Sequence, residues 1–294
     1  MGILMETLDG INKKIQGSVG LKSIVRTMKI IAAVNIRSYE QLRKSLIEYQ
    51  KTIELGLQIV LKHFSPAADK NHQKSEKTGA LIFGSDMGMC GQFNEQICSF
   101  SENQLSDLKQ TPILAIGNKI LLHLENLGVT PIQKFNYPAN LTGNINPVLQ
   151  DLLIIIDKWR QTYGIRRINL IYNKPSKSGI SYNPFINLLM PVDPDYFDEL
   201  RNRVWVSNSI PKFKMDKNKL FAELIKNHFY ITLYMAFADS LTSENAARLT
   251  SMQAAEKHID EHLQDLTLQY NQERQNSITN EILDILAGSE AVKT

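Results

Sequence analysis

The most constraining feature of this 294-residue chain is a long C-terminal stretch without a helix-breaking residue. Residues 212–287 include neither glycine nor proline, the two residues that most destabilise a helix interior. Within it, seven positions alternate by steps of three and four residues, and all but one are hydrophobic: Leu249, Met252, Glu256, Ile259, Leu263, Leu266 and Tyr270. This heptad spacing is typical of a helix that packs along a partner helix. A straight helix of about 70 residues would be about 105 Å long, so it needs such a partner.

A second long helix is predicted near the N-terminus, because neither glycine nor proline occurs between Leu21 and Leu55. Twelve positions with a mean spacing of about 3.6 residues form a narrow, mostly apolar stripe: Ile24, Met28, Ile31, Asn35, Ser38, Leu42, Leu46, Tyr49, Ile53, Leu57, Val60 and Phe64. Residues 11–45 have a net charge of +7 and residues 216–294 a net charge of −5, which favours pairing. We expect the two terminal helices to form an antiparallel coiled coil.

We expect four basic residues of the N-terminal helix to have no acidic partner along that helix: Lys22, Arg26, Lys29 and Arg37. A basic stripe lies two residues after five of the apolar-stripe positions, which is about 200° around a helix: Arg26, Arg37, Lys44, Lys51 and Lys62. We therefore expect this basic stripe to face away from the partner helix. On the residues alone, the simplest interpretation is a solvated helix face.

The middle of the chain has the pattern of an α/β domain. Short apolar runs at residues 80–83, 113–116 and 168–172 alternate with stretches of helical period at residues 95–108, 119–127 and 147–163, and residues 186–192 could add a strand. This alternation favours a mostly parallel, Rossmann-like sheet. The predicted organisation is therefore an N-terminal coiled-coil helix (1–64), an inserted α/β domain (79–211) and a C-terminal coiled-coil helix (212–294).

The segment after the first predicted strand, residues 83–94, lies where phosphate-binding loops occur but has neither glycine-rich phosphate-binding motif. Cys90 in this segment has no histidine nearby in sequence to activate it as a nucleophile, so a structural turn is favoured. His258 and His262 have zinc-ligand spacing, yet no glutamate follows the first histidine, which favours a solvated helix face. We predict no catalytic residue, no metal and no cofactor.

Composition excludes several other classes of protein. The net charge of +3 gives no argument for nucleic-acid binding, and no apolar run approaches the roughly 18 residues that span a bilayer. The N-terminus lacks the basic and apolar segments of a signal peptide. Two cysteines, Cys90 and Cys98, cannot form a disulfide framework. These features predict a soluble protein of a reducing compartment.

Three separate motifs resemble those of the gamma subunit of F-type ATP synthase. Residues 243–255 and 270–282 resemble the family's S-E-x-x-A-R-M-x-A-M-x-x-A and Y-N-x-x-R-Q-x-x-I-T-x-E-[IL] patterns, and residues 85–94 resemble S-x-D-R-G-L-C-G-x-x-N. Residues 11–33 match the N-terminal helix, with Met28 in place. Departures occur at residues 20–25, at Glu256 where the family has threonine, and at Met87 where it has arginine. With these departures, the chain is similar to gamma subunits of the alternative, sodium-translocating ATPases.

The resemblance implies a non-catalytic rotor subunit whose paired helices sit inside a hexamer of alpha and beta subunits. Its further partners would be an epsilon subunit and the membrane c-ring, with no nucleic acid and no membrane span of its own. It would be a peripheral protein at the cytoplasmic face of a bacterial cell membrane. Two other functions stay open, namely an α/β nucleotide-binding enzyme with helical arms and a non-rotary coiled-coil adaptor.

The resemblance also implies subunit-contact residues. Arg248 matches a position that meets an acidic residue of the beta subunit, and Lys22, Arg26 and Lys29 are expected to face acidic loops of beta. Met28 belongs to the matched part of the N-terminal helix and is expected to contact a subunit as well. The matched positions near the C-terminus that contact the inner loops of the hexamer are Arg274, Gln275, Thr279 and Glu281.

Overall fold

The computed structural model describes residues 7–63, 77–105, 107–137, 145–176, 181–205, 208–209 and 212–291. The predicted helix end at Phe64 and the predicted boundary at residue 211 lie outside these residues. In chain order, the elements are α1 (Leu8–His63), β1 (Lys77–Phe83), α2 (Phe93–Gln104), β2 (Ile113–Ile116), α3 (Ile120–Asn126), β3 (Gln133–Phe135), α4 (Ile145–Tyr163), β4 (Ile165–Pro175), β5 (Tyr182–Met190), α5 (Pro194–Asn202) and α6 (Lys217–Ala291). Both predicted long helices and the α/β fold class are confirmed.

The five strands form one sheet in the order β3-β2-β1-β4-β5. The neighbours β1–β2, β1–β4 and β2–β3 are parallel, whereas β4 and β5 are antiparallel. The strand predicted at residues 186–192 is therefore an antiparallel edge strand that begins at Tyr182. Strand β3 and helix α5 were not predicted. Strand β3 has only three residues, and two of them are polar, so no apolar run indicated a strand there.

Strand β1 is buried on both sides, as is usual for the centre of a parallel sheet. Leu81 and Phe83 point to one face of the sheet and pack with α4 and α6. Ala80 and Ile82 point to the opposite face and pack with α2 and α3. The sheet is thus a middle layer between two helical layers, and its carboxyl edge is free to carry loops.

The structure divides into two compact units, Met1–Ala32 with Leu249–Thr294 and Ala33–Arg248. In the larger unit, α1 and α6 run antiparallel: Ile53 and Leu57 of α1 pack near Phe221 and Leu224 at the start of α6, whereas Asn35 donates a hydrogen bond to Asn245 farther along it. In the smaller unit, the first part of α1 pairs with the last part of α6, again antiparallel. We refer to this second pair as the terminal helix pair.

The buried positions of α1 follow a strict heptad. Fully or nearly fully buried residues recur at multiples of seven: Ile11, Val25, Ala32, Leu46, Ile53 and Val60. The predicted stripe was right at Leu46, Ile53 and Val60 but wrong at Ile24 and Ile31, which are each 54% exposed. The buried seam of a helix that packs along a partner helix repeats every 3.5 residues. A stripe placed with a period of 3.6 residues therefore departs from that seam by about one residue over 40 residues.

Candidate functional site

The loop after β1, residues 84–91, is fastened to the carboxyl edge of the sheet by buried hydrogen bonds. The backbone N–H of Ser85 donates to Asn94 Oδ1 at 2.9 Å, and Asn94 Nδ2 donates to Ser85 Oγ at 2.9 Å. A Cβ atom on Gly84 would lie 2.3 Å from Ile120 Cβ, so only glycine fits where β1 passes α3. The loop is packed on its inner side and exposes Met87 to solvent on its outer side.

The carboxylate of Asp86 joins this loop to the ends of two neighbouring strands. Its Oδ1 accepts a hydrogen bond from the backbone N–H of Asn118 at 2.9 Å, after β2. Its Oδ2 accepts from the backbone N–H of Tyr137 at 2.8 Å, after β3. The Tyr137 hydroxyl donates to the carbonyl of Gly84 at 2.9 Å. The Asp86 side chain therefore links the carboxyl ends of β1, β2 and β3 through hydrogen bonds.

Cys90 lies in the same loop as a buried thiol. Its Sγ is 3.4 Å from Ser85 Oγ, to which it donates a hydrogen bond. Burial raises the pKa of the Cys90 thiol, so the neutral form dominates at neutral pH. Because the thiolate is the nucleophilic form, this environment favours the structural turn over a catalytic cysteine.

Arg248 of α6 lies over the loop rather than in solvent, with 12% of its side chain exposed. Its Nη2 is 2.6 Å from Glu244 Oε1, one turn earlier, and 3.4 Å from the carbonyl oxygens of Met87 and Gly88. Burial raises the pKa of Glu244, and the charge of Arg248 opposes that rise. Arg248, which is expected to meet a carboxylate of the beta subunit, thus already pairs with Glu244 of its own helix. Its contacts with the carbonyl oxygens of Met87 and Gly88 connect α6 to the loop.

The terminal helix pair has an ion cluster that the sequence did not predict. Arg26 Nε is 2.7 Å from Glu256 Oε1, and Lys29 Nζ is 2.5 Å from Glu256 Oε2. Lys22 forms an ion pair with Asp260, one turn further along α6. Hydrogen bonds from Lys29 and Arg26 lower the pKa of Glu256 to about 2.

The expectation that the basic stripe faces away from α6 was therefore wrong at Arg26. The cations Lys22, Arg26 and Lys29 find their acidic partners on α6 and not along α1. The seam of α1 passes through Val25 and Ala32, so Lys22 and Lys29 occupy seam positions and Arg26 lies beside them. Glu256 and Asp260 of α6 pair with cations of α1 and are not ordinary helix surface. One available signal was the place of Glu256 within the heptad of α6, because a charged residue there often pairs with the partner helix.

The remaining predicted contact residues occupy two other places. Met28 is half-buried on α1 in the terminal helix pair. The four predicted residues near the C-terminus are all exposed on α6: Arg274, Gln275, Thr279 and Glu281. The Thr279 hydroxyl donates a hydrogen bond to the Gln275 carbonyl at 2.9 Å, one turn earlier in the same helix. Thr279 is nevertheless exposed on the surface of α6.

No group of three metal-ligating side chains occurs among the residues that the structure describes. His258, one of the two histidines with zinc-ligand spacing, is 78% exposed and lies 3.3 Å from Glu261.

Comparison with known proteins agrees with this architecture. A family model described as ATP synthase matches residues 7–292. The ATP synthase gamma chain of Geotalea uraniireducens is 30% identical over 302 residues, which cover 98% of this chain and all of that one. The gamma chain of Haemophilus influenzae is 27% identical, with 96% of this chain and 98% of that chain covered.

Solved structures show the same fold. A cryo-EM structure of the Euglena gracilis mitochondrial ATP synthase includes a chain with a TM-score of 0.68 and 18% identity, covering 97% of this chain and 94% of that one. A chain of the rotor of the same enzyme has a TM-score of 0.62 and 16% identity, over 92% of this chain and 98% of that one. With the family match spanning both long helices and the inserted sheet, this chain belongs to the ATP synthase gamma chain family.

Proposed function

We propose that this protein is the central-stalk rotor subunit of an F-type ATP synthase. The observation that carries the proposal is the pairing of two long terminal helices around an inserted α/β domain, over which the gamma chain family matches from residue 7 to residue 292. As a gamma chain, it is a non-catalytic subunit. Its rotation would bias the alpha and beta subunits between states of different nucleotide affinity.

The proposed partners are the alpha and beta subunits of the catalytic hexamer, an epsilon subunit and the membrane c-ring. Among the described residues, no helix has the length and hydrophobicity needed to cross a bilayer. The protein is a peripheral component of a membrane complex, and we place it at the cytoplasmic face of a bacterial cell membrane. The bacterial origin of the relatives supports this placement.

The contact residues inferred from the family stay proposals. Arg274, Gln275, Thr279 and Glu281 are exposed on α6 and available to a partner. Four of the proposed contact residues already form ion pairs within this chain: Lys22, Arg26, Lys29 and Arg248. Each would have to contact an acidic group of a partner in addition to its present acidic partner. Met28, half-buried beside this cluster, would contact a partner with the outer part of its side chain.

The test is reconstitution with the alpha and beta subunits of the same organism. The rotor function predicts a stable complex in which ATP hydrolysis turns a bead attached to this chain. No complex formation would favour the non-rotary adaptor, and saturable ADP binding by the isolated chain would favour the nucleotide-binding enzyme. Hydrolysis by the complete enzyme, measured with and without sodium, tests the sodium-translocating type, which the departures at Met87 and Glu256 support.

A further inference from the structure

A cleft lies at the amino edge of the sheet, opposite the edge that carries the loop at residues 84–91. It has a volume of about 470 Å³ and is lined by the beginnings of β1 and β4, by β5, and by the end of α2 with the chain that follows it. Small-molecule sites in proteins have volumes of about 300–1,000 Å³. All of the lining belongs to the larger compact unit. We call this space the amino-edge cleft.

The amino-edge cleft has a buried carboxamide without a partner. Asn169 of β4 lines it and is only 7% exposed. Among the residues that the structure describes, none forms a hydrogen bond with its side chain. Two other buried asparagines differ, since Asn94 bonds Ser85 through both side-chain atoms and Asn245 donates to the Leu241 carbonyl at 2.8 Å. Because an unpaired buried amide costs free energy, Asn169 indicates a polar group that binds from the cleft.

Arg167 gives the cleft its charge. It lies two residues before Asn169 on β4, and it is the one ionisable residue in the described lining. Its guanidinium forms no ion pair with any residue that the structure describes. Asp107, in the chain that follows α2, does not line the cleft, and its Oδ1 accepts a hydrogen bond from the backbone N–H of Gln110 at 3.2 Å. An entering carboxylate would therefore meet a cation and no anion in the lining.

The spacing of these two groups restricts the ligand. Positions two residues apart on a strand are separated by about 7 Å, so a ligand that reaches both Arg167 and Asn169 needs a carboxylate and a second polar group a few bonds away. A hydroxyl suits the second position, because it can both donate to and accept from a carboxamide. Leu105 and Leu188 offer apolar contact for a short carbon chain.

The single cation also restricts the charge of the ligand. One guanidinium compensates one carboxylate, whereas a nucleotide has about three or four negative charges and would leave most of them without a partner. The Thr111 hydroxyl adds no further cation and already donates to the Asp107 carbonyl at 2.6 Å, so toward a ligand it can only accept. The lining therefore favours a monocarboxylate over a nucleotide.

We propose that the amino-edge cleft binds a small hydroxy-monocarboxylate, with the carboxylate on Arg167 and the hydroxyl on Asn169. The inference does not depend on the rotor function, because every lining residue belongs to one compact unit of this chain. Binding would give the Asn169 amide its missing partner and would raise the thermal midpoint of the chain.

Titration of the full chain with 3-hydroxybutyrate tests the proposal, followed by the ¹⁵N-linked side-chain N–H signals of Arg167 and Asn169. Both signals should shift saturably, with a dissociation constant of about 1 mM or below. Arg167→Gln should weaken binding about tenfold or more, because it removes the charge-assisted contact. Arg160→Gln is the matched control, with the same charge change at an exposed position of α4 on the other face of the sheet. It should change binding by less than about twofold.

A second variant examines the role of Asn169. Asn169→Leu keeps the approximate size of the side chain and removes its polar atoms, so it should weaken 3-hydroxybutyrate about fivefold and leave butyrate, which lacks the hydroxyl, unchanged. Without ligand, its thermal midpoint should equal or exceed that of wild type, since an unpaired amide is replaced by an apolar group. A lower midpoint would show that Asn169 has a structural role and would remove it from the site.

The other outcomes decide the proposal as a whole. Saturable binding of 3-hydroxybutyrate that Arg167→Gln abolishes and Arg160→Gln retains would support it. Absence of saturable binding of both 3-hydroxybutyrate and butyrate would overturn it. Equal affinity of the Arg167→Gln variant, or binding of the neutral analogue 1,3-butanediol as tightly as the acid, would overturn it as well.

Discussion

Arg43 and Asp239 form an ion pair that joins α1 to α6 beside the sheet, with Arg43 Nε 2.6 Å from Asp239 Oδ1. Only 3% of the Asp239 side chain is exposed, whereas Arg43 is about one-third exposed. Burial raises the pKa of Asp239, and the charges of Arg43 and Lys174 oppose that rise. The pair connects residues 196 positions apart in sequence and so joins α1 to α6 within this unit.

Removing one partner of this pair should cost more than removing both. Arg43→Met leaves the buried carboxylate with the more distant Lys174 as its cation, and we expect a loss of about 2–3 kcal/mol in the free energy of unfolding. The estimate is below that for a fully buried pair because Arg43 is partly solvated. The midpoint of urea unfolding, followed by circular dichroism, measures the change.

The double variant Arg43→Met/Asp239→Leu is the control for this prediction. It removes both charges and keeps apolar volume, so it should recover most of the stability lost in the single variant. Equal unfolding midpoints for wild type and Arg43→Met would show that the pair makes no net contribution. A double variant less stable than the single one would show that packing, not charge, dominates at this site.

The ion cluster of the terminal helix pair should make its stability depend on pH. The pKa of Glu256 is about 2, below the ordinary value of 4.5, so folding favours the ionised carboxylate. The stabilisation is complete above about pH 4.5 and is lost as the pH falls through 2. The groups that face the carboxylate are Lys29 and Arg26, while Asp260 is neutralised in part by Lys22.

The measurement compares the thermal midpoint of wild type with that of Glu256→Gln between pH 6 and pH 2. Glutamine keeps the shape of the side chain but cannot ionise. The wild type should be the more stable protein at pH 6, and the difference should disappear near pH 2. A difference that stays the same at both pH values would attribute the effect to packing rather than to charge.

How far the sequence predicts this structure depends on the distance over which each signal acts. The two long helices follow from local absences of glycine and proline, and the antiparallel pairing follows from their length. The register of the pair does not, because Arg26 and Glu256 are separated by 230 positions and meet only when the seam is placed to within one residue. A stripe drawn at the average helical period put Ile24 inside and Val25 outside, which reversed the direction assigned to Arg26.

The α/β domain shows the same limit. Strand β2 was predicted with its observed bounds because all four of its residues are buried and apolar. Strand β3 has the sequence Gln-Lys-Phe, and its strand character comes from pairing with β2 rather than from its own residues. The structural turn favoured for residues 83–94 stays a prediction, and the role of Asp86 within that segment depends on Asn118 and Tyr137, which no local motif connects to it.

Arg248→Ala is expected to loosen the loop that follows β1 without unfolding α6. The change removes two hydrogen bonds to loop carbonyls and the cation beside the buried Glu244. A loss of about 1 kcal/mol of local stability would raise the rate of Cys90 labelling by a thiol reagent roughly fivefold. Cys98, whose pKa burial raises to about 12, is the internal control.

In the complete enzyme, the same Arg248→Ala variant should lower ion-coupled ATP synthesis while its helix content stays unchanged. If Cys90 labelling rises as synthesis falls, the arginine acts at least in part by holding the loop. Synthesis reduced with unchanged labelling would favour direct contact with a beta subunit. Equal synthesis by mutant and wild-type complexes would remove Arg248 from the set of coupling residues.

The isolated chain should bind neither ATP nor ADP, because the groups that would hold a phosphate are already engaged. At the carboxyl edge of the sheet, the backbone N–H groups of Asn118 and Tyr137 donate to the Asp86 carboxylate, and that of Ser85 donates to Asn94. A phosphate would have to displace a carboxylate of the same sign of charge. Titration calorimetry with millimolar nucleotide should therefore give no saturable heat for wild type. Asp86→Asn removes the repulsion and leaves one of the two backbone N–H groups without its acceptor, because an amide has a single acceptor oxygen. It should still give no saturable heat, since the other N–H group and that of Ser85 stay bonded. Micromolar binding that Asp86→Asn strengthens would instead identify this edge as a nucleotide site and return the chain to the enzyme alternative.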